Sequence, residues 1–204
     1  MYRVVPTLLA TIPRVHRSAK QMLRFAFRYD SPIMRTVLFV CTGNTCRSPM
    51  AEGIARKLAL DGALGAEGRT YFFASAGTQA FEHAPISEET ADVLEALGAP
   101  HDGHSMRLSA EMIRRADLVL GMTASHVGRA KALVAGEAAE GKIHLLDAEG
   151  DIPDPIGRGS AAYEELSREL LAILPARITE LLPLTPASSA LLDSKGAKPE
   201  TLTP

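Results

Sequence analysis

The stretch Cys41-Thr42-Gly43-Asn44-Thr45-Cys46-Arg47-Ser48 places a thiol and a guanidinium with five residues between them. A thiolate is a strong nucleophile, and a guanidinium is a planar fork that can meet two oxygens of a phosphate-like anion. A loop this short lets main-chain N–H groups converge on one anion while the arginine returns to face the cysteine. Gly43 permits close backbone approach, and Asn44 tolerates the left-handed conformation that such a cradle contains. Ser48-Pro49 reads as an N-cap followed by proline at the first helical position. The N–H groups and dipole of the helix that starts there favour negative charge, either a thiolate or a bound oxyanion. A helix end contributes up to about 2 kcal/mol, and each hydrogen bond to charged sulfur a further ~1.5 to 3 kcal/mol. No metal or cofactor is needed to activate Cys41, and none is expected.

The elements around the loop follow from pattern. Val37 to Val40 form a short continuous apolar run, as in a strand buried on both faces of a parallel sheet. After the loop, Met50, Ile54 and Leu58 give a helix an apolar face to about Leu60. Tyr71 to Ala74 suggest a second strand, closed by Ser75-Ala76-Gly77. Ser87 caps a helix with Val93, Leu94 and Leu97 inward, and Gly98 ends it. A helix from Ser109 to Ala116, a third strand at Leu118 to Leu120, a helix from near Ser125 and a fourth strand at Ile143 to Leu146 follow. The turn-rich segment from Asp147 to Ser160 leads to a last helix from Ala161 to about Leu182, which Pro175 is expected to kink or restart. Alternating strands and helices predict an α/β fold: a three-layer, doubly wound sandwich around a four-stranded parallel sheet. Ligands of such sheets sit at the carboxyl ends of the strands, where the Cys41 loop lies.

Bulk properties set the context. At 204 residues, 46% apolar and without tryptophan, the chain supports one core. Its two cysteines share the loop, which excludes a secreted disulfide framework and points to a cytoplasmic protein. No apolar run approaches the roughly 18 to 20 residues of a membrane span. Residues 1–34 carry Arg3, Arg14, Arg17, Lys20, Arg24 and Arg28 against Asp30 alone. Such an arm could lie on an anionic membrane. The expectation is instead a poorly ordered extension, or a start assigned too early with Met34 the first residue. Residues 35–183 form the domain, and 184–204 a disordered, Pro-, Ser- and Thr-rich tail. The acidic body argues against nucleic acid as a partner.

The run from Val40 to Glu52, Val-Cys-Thr-Gly-Asn-Thr-Cys-Arg-Ser-Pro-Met-Ala-Glu, resembles the active-site motif of the low-molecular-weight protein tyrosine phosphatases. Ser75-Ala76-Gly77, Ala116 to Leu120 and Asp154-Pro155 extend the resemblance over about residues 35 to 182. It implies that Cys41 attacks phosphorus to form a phosphocysteine, that Arg47 and the N–H groups of Thr42, Gly43, Asn44, Thr45 and Cys46 hold the phosphate oxygens, and that Ser48 steadies the thiolate. Cys46 would be a backdoor thiol that pairs reversibly with Cys41; read alone, it is equally a small buried residue. Asp154 would be the general acid and then the base that activates water. Read alone, Asp-Pro is a turn signal, and Asp151 and Asp147 are its nearby competitors.

The substrates implied are phosphorylated proteins, and the product inorganic phosphate. Two departures from the tyrosine-selective pattern point to bacterial protein arginine phosphatases. Thr45 stands where tyrosine-directed members have an apolar branched residue, although it could simply bond within the loop. Ile156 stands where they place an aromatic wall, a role that Tyr163 or Phe81 could fill from elsewhere. A tyrosine phosphatase is the alternative. Arsenate reduction would need further cysteines, and a non-catalytic phosphate-binding module would lack the nucleophile, arginine or acid. His104 is expected to support the loop from behind, and His83, His101, His126 and His144 to be solvated or core-edge residues.

Overall fold

A computed structural model describes residues 34–64, 71–99, 101 and 103–182. The expected N-terminal extension, Met34 apart, and the C-terminal tail lie outside the described residues. Four strands, β1 (Arg35–Cys41), β2 (Tyr71–Gly77), β3 (Leu118–Gly121) and β4 (Ile143–Leu145), pair in parallel in the order β2-β1-β3-β4. The expected α/β sandwich is therefore the observed one. β1 is central, with Val40 beside Ala76 on one side and Gly121 on the other. Its carboxyl end is thus flanked by loops from both neighbours.

The continuous apolar run of β1 is shared between two cores. Val37 and Phe39 pack with Met50, Ile54, Leu94, Leu120, Leu170 and Leu174. Leu38 and Val40 point the other way, to Ile113, Val119, Ala130 and Ile143. Alternation along a strand buried on both faces produces this division. The first face is covered by α1 (Arg47–Leu60), α2 (Glu88–Ala96) and α5 (Ser160–Leu181), the second by α3 (Ala110–Arg115) and α4 (Ala124–Leu133). Among the described residues, no helix is long and apolar enough to cross a membrane.

Most helix ends follow the sequence signals. Ser87 caps α2 by accepting from the Thr90 N–H, and the Gly98 and Ala99 amides return to Glu95 and Leu94 in a Schellman closure, with Gly98 at φ +66°. α4 begins at Ala124, next to the expected Ser125, and is capped by Thr123. α5 runs unbroken through Pro175, so of the expected kink or restart the restart does not occur. α1 departs further. It begins at Arg47 with Cys46 at the N-cap position, and Ser48 lies inside the first turn instead of capping it. Capping by a side chain is given up there, and the Ser48 hydroxyl is left to the active loop.

Candidate active site

In the loop between β1 and α1, Cys41, Asn44, Cys46, Arg47 and Ser48 are buried, and Thr42, Gly43 and Thr45 are half-buried. Cys41 Sγ accepts from the Asn44 N–H at 3.2 Å and lies 3.0 Å from Ser48 Oγ. Asn44 is 1% exposed and holds φ +56°, the left-handed conformation expected of it. Its amide nitrogen donates to Ser48 Oγ at 3.0 Å and Ser75 Oγ at 2.8 Å, and its Oδ1 accepts from the Met106 N–H at 2.8 Å. Behind it, Ser75 donates to the buried Glu52 carboxylate at 2.6 Å, which also meets His101 Nε2 at 3.1 Å and pairs with Arg56. The Asn44 N–H favours charge on the Cys41 sulfur, and the Ser48 hydroxyl does the same when it donates to the sulfur rather than to the Ala76 carbonyl.

Neighbouring segments press on this loop. The Thr78 and Gln79 N–H groups donate to the carbonyls of Cys41 and Thr42, and the Ser87 N–H to that of Thr45, each at 2.9 Å. Gly77 lies directly beneath. A Cβ there would come within 2.5 Å of the Thr42 carbonyl oxygen and 2.8 Å of the Asn44 nitrogen, so only glycine fits. No side chain caps the start of α1, and its first amides face whatever anion the loop holds.

Arg47 is buried along its length. Its guanidinium donates to the Ile152 carbonyl at 3.3 Å and to Asp154 Oδ2 at 2.5 Å. Asp154 is the exposed partner of this ion pair, with its side chain 45% accessible against 6% for Arg47. The two competing carboxylates are engaged elsewhere. Asp151 accepts from the Ala124 N–H at 2.7 Å, at the start of α4, and Asp147 from the Glu149 N–H at 3.0 Å within its own turn. Of the three, Asp154 is thus the one in contact with the loop arginine.

Cys46 Sγ donates to Ser87 Oγ at 3.4 Å and lies 3.6 Å from both Tyr163 Oη and Thr45 Oγ1. Both cysteines are free thiols. Tyr163 is 3% exposed, and burial first, then the Cys46 contact, push its pKa up to about 12. It is packed behind the loop and does not serve as a substrate wall. Phe81, by contrast, is 83% exposed two residues beyond Gln79, and Ile156 is 62% exposed two residues beyond Asp154.

His83 is solvated and His101 and His144 lie at the core edge, as expected, whereas His104 and His126 fall differently. His104 is exposed; the neighbouring Ser105 ties the 81–84 turn, donating to the Phe81 carbonyl and accepting from the Ala84 N–H at 3.1 Å, and the Met106 N–H reaches the loop at Asn44. His126 is buried against the loop, with Nε2 2.8 Å from Thr42 Oγ1 and Nδ1 2.9 Å from Thr123 Oγ1. Its one local signal was Thr123 three residues ahead, a cap pairing. The partner of His101 was likewise missed, because Glu52 stands 49 residues away. Among the described residues, no group of three or more His, Cys, Asp or Glu side chains could hold a metal ion.

Comparison with known proteins adds to this geometry. The family profile of the low molecular weight phosphotyrosine protein phosphatases matches residues 36–182. The chain is 34% identical over 148 residues to a protein-arginine-phosphatase of Bacillus subtilis, covering 68% of this chain and 91% of that protein. It is also 34% identical over 135 residues to the low molecular weight protein-tyrosine-phosphatase Etp of Escherichia coli, covering 64% and 84%. A crystal structure of a YwlE mutant from Bacillus subtilis superposes with a TM-score of 0.65 at 29% identity, over 74% of this chain and 99% of that one.

Proposed function

The chain belongs to the low molecular weight phosphotyrosine protein phosphatase family, and from that premise we propose that it hydrolyses phosphoarginine in proteins through a phosphocysteine on Cys41. The family reading makes it a cysteine-dependent phosphatase; equal identity to an arginine-directed and a tyrosine-directed relative leaves the substrate to the site itself. Thr45 carries the arginine reading. Among the described residues, the one hydrogen-bond neighbour of its hydroxyl is Cys46 Sγ, at 3.6 Å. So long a contact with sulfur leaves the oxygen available to a guanidinium N–H of the leaving group.

In the proposed reaction, the phosphoryl group enters the loop and takes over the Arg47 fork, which releases Asp154 from the ion pair. Once released, Asp154 takes up a proton from solvent; the Cys41 thiolate then attacks phosphorus, the P–N bond breaks, and Asp154 gives that proton to the departing nitrogen. The Asp154 carboxylate then takes a proton from water, which attacks the phosphocysteine. Inorganic phosphate leaves and the thiolate is restored. Thr42, Gly43, Asn44, Thr45 and Cys46 contribute loop N–H groups and Ser48 a hydroxyl to this cycle. The domain that performs it would be residues 35–183.

A tyrosine-directed reading is favoured by Phe81, an exposed aromatic on the segment bonded to Thr42. The two are separated by kcat/KM on matched phosphoarginine and phosphotyrosine peptides, with the parent and with Thr45→Ile. Preference for phosphoarginine, reversed by the substitution, is expected. A phosphotyrosine preference in the parent would overturn the arginine reading.

A further inference from the structure

The first turn of α4 touches both halves of the site. Thr123 Oγ1 accepts from the His126 N–H at 3.3 Å and lies 2.9 Å from Nδ1 of the same residue. The other ring nitrogen lies 2.8 Å from Thr42 Oγ1, on the residue that follows the nucleophile. Immediately after the cap, the Ala124 N–H holds Asp151, three residues ahead of Asp154. His126 is 4% exposed. A buried ring with both nitrogens engaged by hydroxyls from different elements is more than filler, since packing alone would be met by an apolar side chain.

We propose that His126 is a positioning residue for the reaction: it fixes the side-chain rotamer of Thr42, and with it the part of the loop beside Cys41, while its own helix start anchors the acid segment through Asp151. The proposal rests on the phosphatase reading above. It adds a residue that touches neither phosphate nor leaving group in that scheme.

Protonation chemistry sharpens the role. A neutral imidazole has one N–H, so one of Thr42 and Thr123 donates to the ring while the other accepts from it. Burial, and after it the Arg47 guanidinium, hold the pKa of His126 down at about 4; Arg129 on its own helix acts in the same direction, and Asp151 and Asp154 oppose. The ring therefore stays neutral at neutral pH. A second proton would require both hydroxyls to accept and would turn the one that had been donating.

The test uses the full chain with Thr42→Val, His126→Asn, His126→Gln and the double variant Thr42→Val/His126→Asn. The glutamine amide nitrogen reaches the place of Nε2 and keeps Thr42, whereas asparagine stops near Nδ1 and keeps only Thr123. Two readouts are taken, kcat/KM on a phosphorylated peptide and the Kd of inorganic phosphate. His126→Asn is expected to lower kcat/KM about 10- to 100-fold, mostly in kcat, and to weaken phosphate binding, with His126→Gln recovering most of both. In the Thr42→Val background, His126→Asn should then add nothing. Independent, multiplying effects of the two substitutions, or a His126→Gln no better than His126→Asn, would overturn the proposal. A parent inactive on every phosphopeptide would sink the functional reading, while the phosphate affinities of the same proteins would still decide the positioning claim.

Discussion

Residues 41–48 and residues 151–156 meet through the Arg47–Asp154 ion pair, and they are held in opposite ways. In the first, Cys41, Asn44, Cys46, Arg47 and Ser48 are all buried, and the Asn44 side chain alone makes three hydrogen bonds, one to Ser48 within the loop and two to other segments. In the second, Asp154 and Ile156 are exposed, and the ties to other segments include the Ile152 N–H to the Met122 carbonyl, Arg47 to the Ile152 carbonyl, Asp151 to α4 and Asp154 to Arg47. The contrast matches the two tasks proposed for them. Charge on the transferred phosphoryl group is the same for every substrate and rewards donors fixed in advance. Leaving groups differ in size and direction, and the group that protonates them gains from a segment able to shift.

The comparison can be broken at several points. Cys41→Ser should remove turnover by at least about 10⁴-fold in a steady-state assay, while titration with inorganic phosphate still shows binding through Arg47 and the loop amides. Asp154→Asn should slow turnover about 10² to 10⁴-fold. It should nevertheless cost less than about 1 kcal/mol in urea unfolding, because the amide oxygen still accepts from Arg47 at an exposed position. Asn44→Ala should reverse that balance, costing about 2 to 5 kcal/mol through three lost hydrogen bonds and a β-carbon residue left at φ +56°. Equal unfolding costs for Asp154→Asn and Asn44→Ala would erase the distinction between a rigid loop and a looser acid segment.

The smallest effect expected is on pH dependence. His126 binds its proton near pH 4 in the folded protein and near pH 6.5 when unfolded, so the unfolded chain holds more protons between those values. Stability should therefore fall as pH drops from 6.5 to 4, at no more than about 1.4 kcal/mol per pH unit from this residue. Thermal unfolding of His126→Asn should show a shallower fall.

What the sequence disclosed about the site divides along the same line. Cys41, Asn44 and Arg47 were legible because their roles are local: a short loop between an apolar run and a helix leaves little freedom for the chain. The place of Ser48 was not, since a serine before proline ordinarily caps a helix, and here the loop takes the hydroxyl that capping would use. Ser75, Met106 and Thr42 are 31, 62 and 84 residues from the partners that define them, so no local pattern reveals Ser75 as a support of Asn44 or His126 as a partner of Thr42. The sheet and most helices came through because alternation and Ser or Gly punctuation recur within each element. The start of α1 shifted because the main chain alone forms its cap.

The distance of 107 residues between Arg47 and Asp154 also has a meaning in time. A chain synthesised at about 5 to 20 residues per second presents both thiols for roughly 5 to 20 seconds before its acid segment exists. During that interval the nascent chain carries reactive sulfur without the rest of its machinery. The survival of those thiols then depends on the reducing power of the surroundings in which translation takes place.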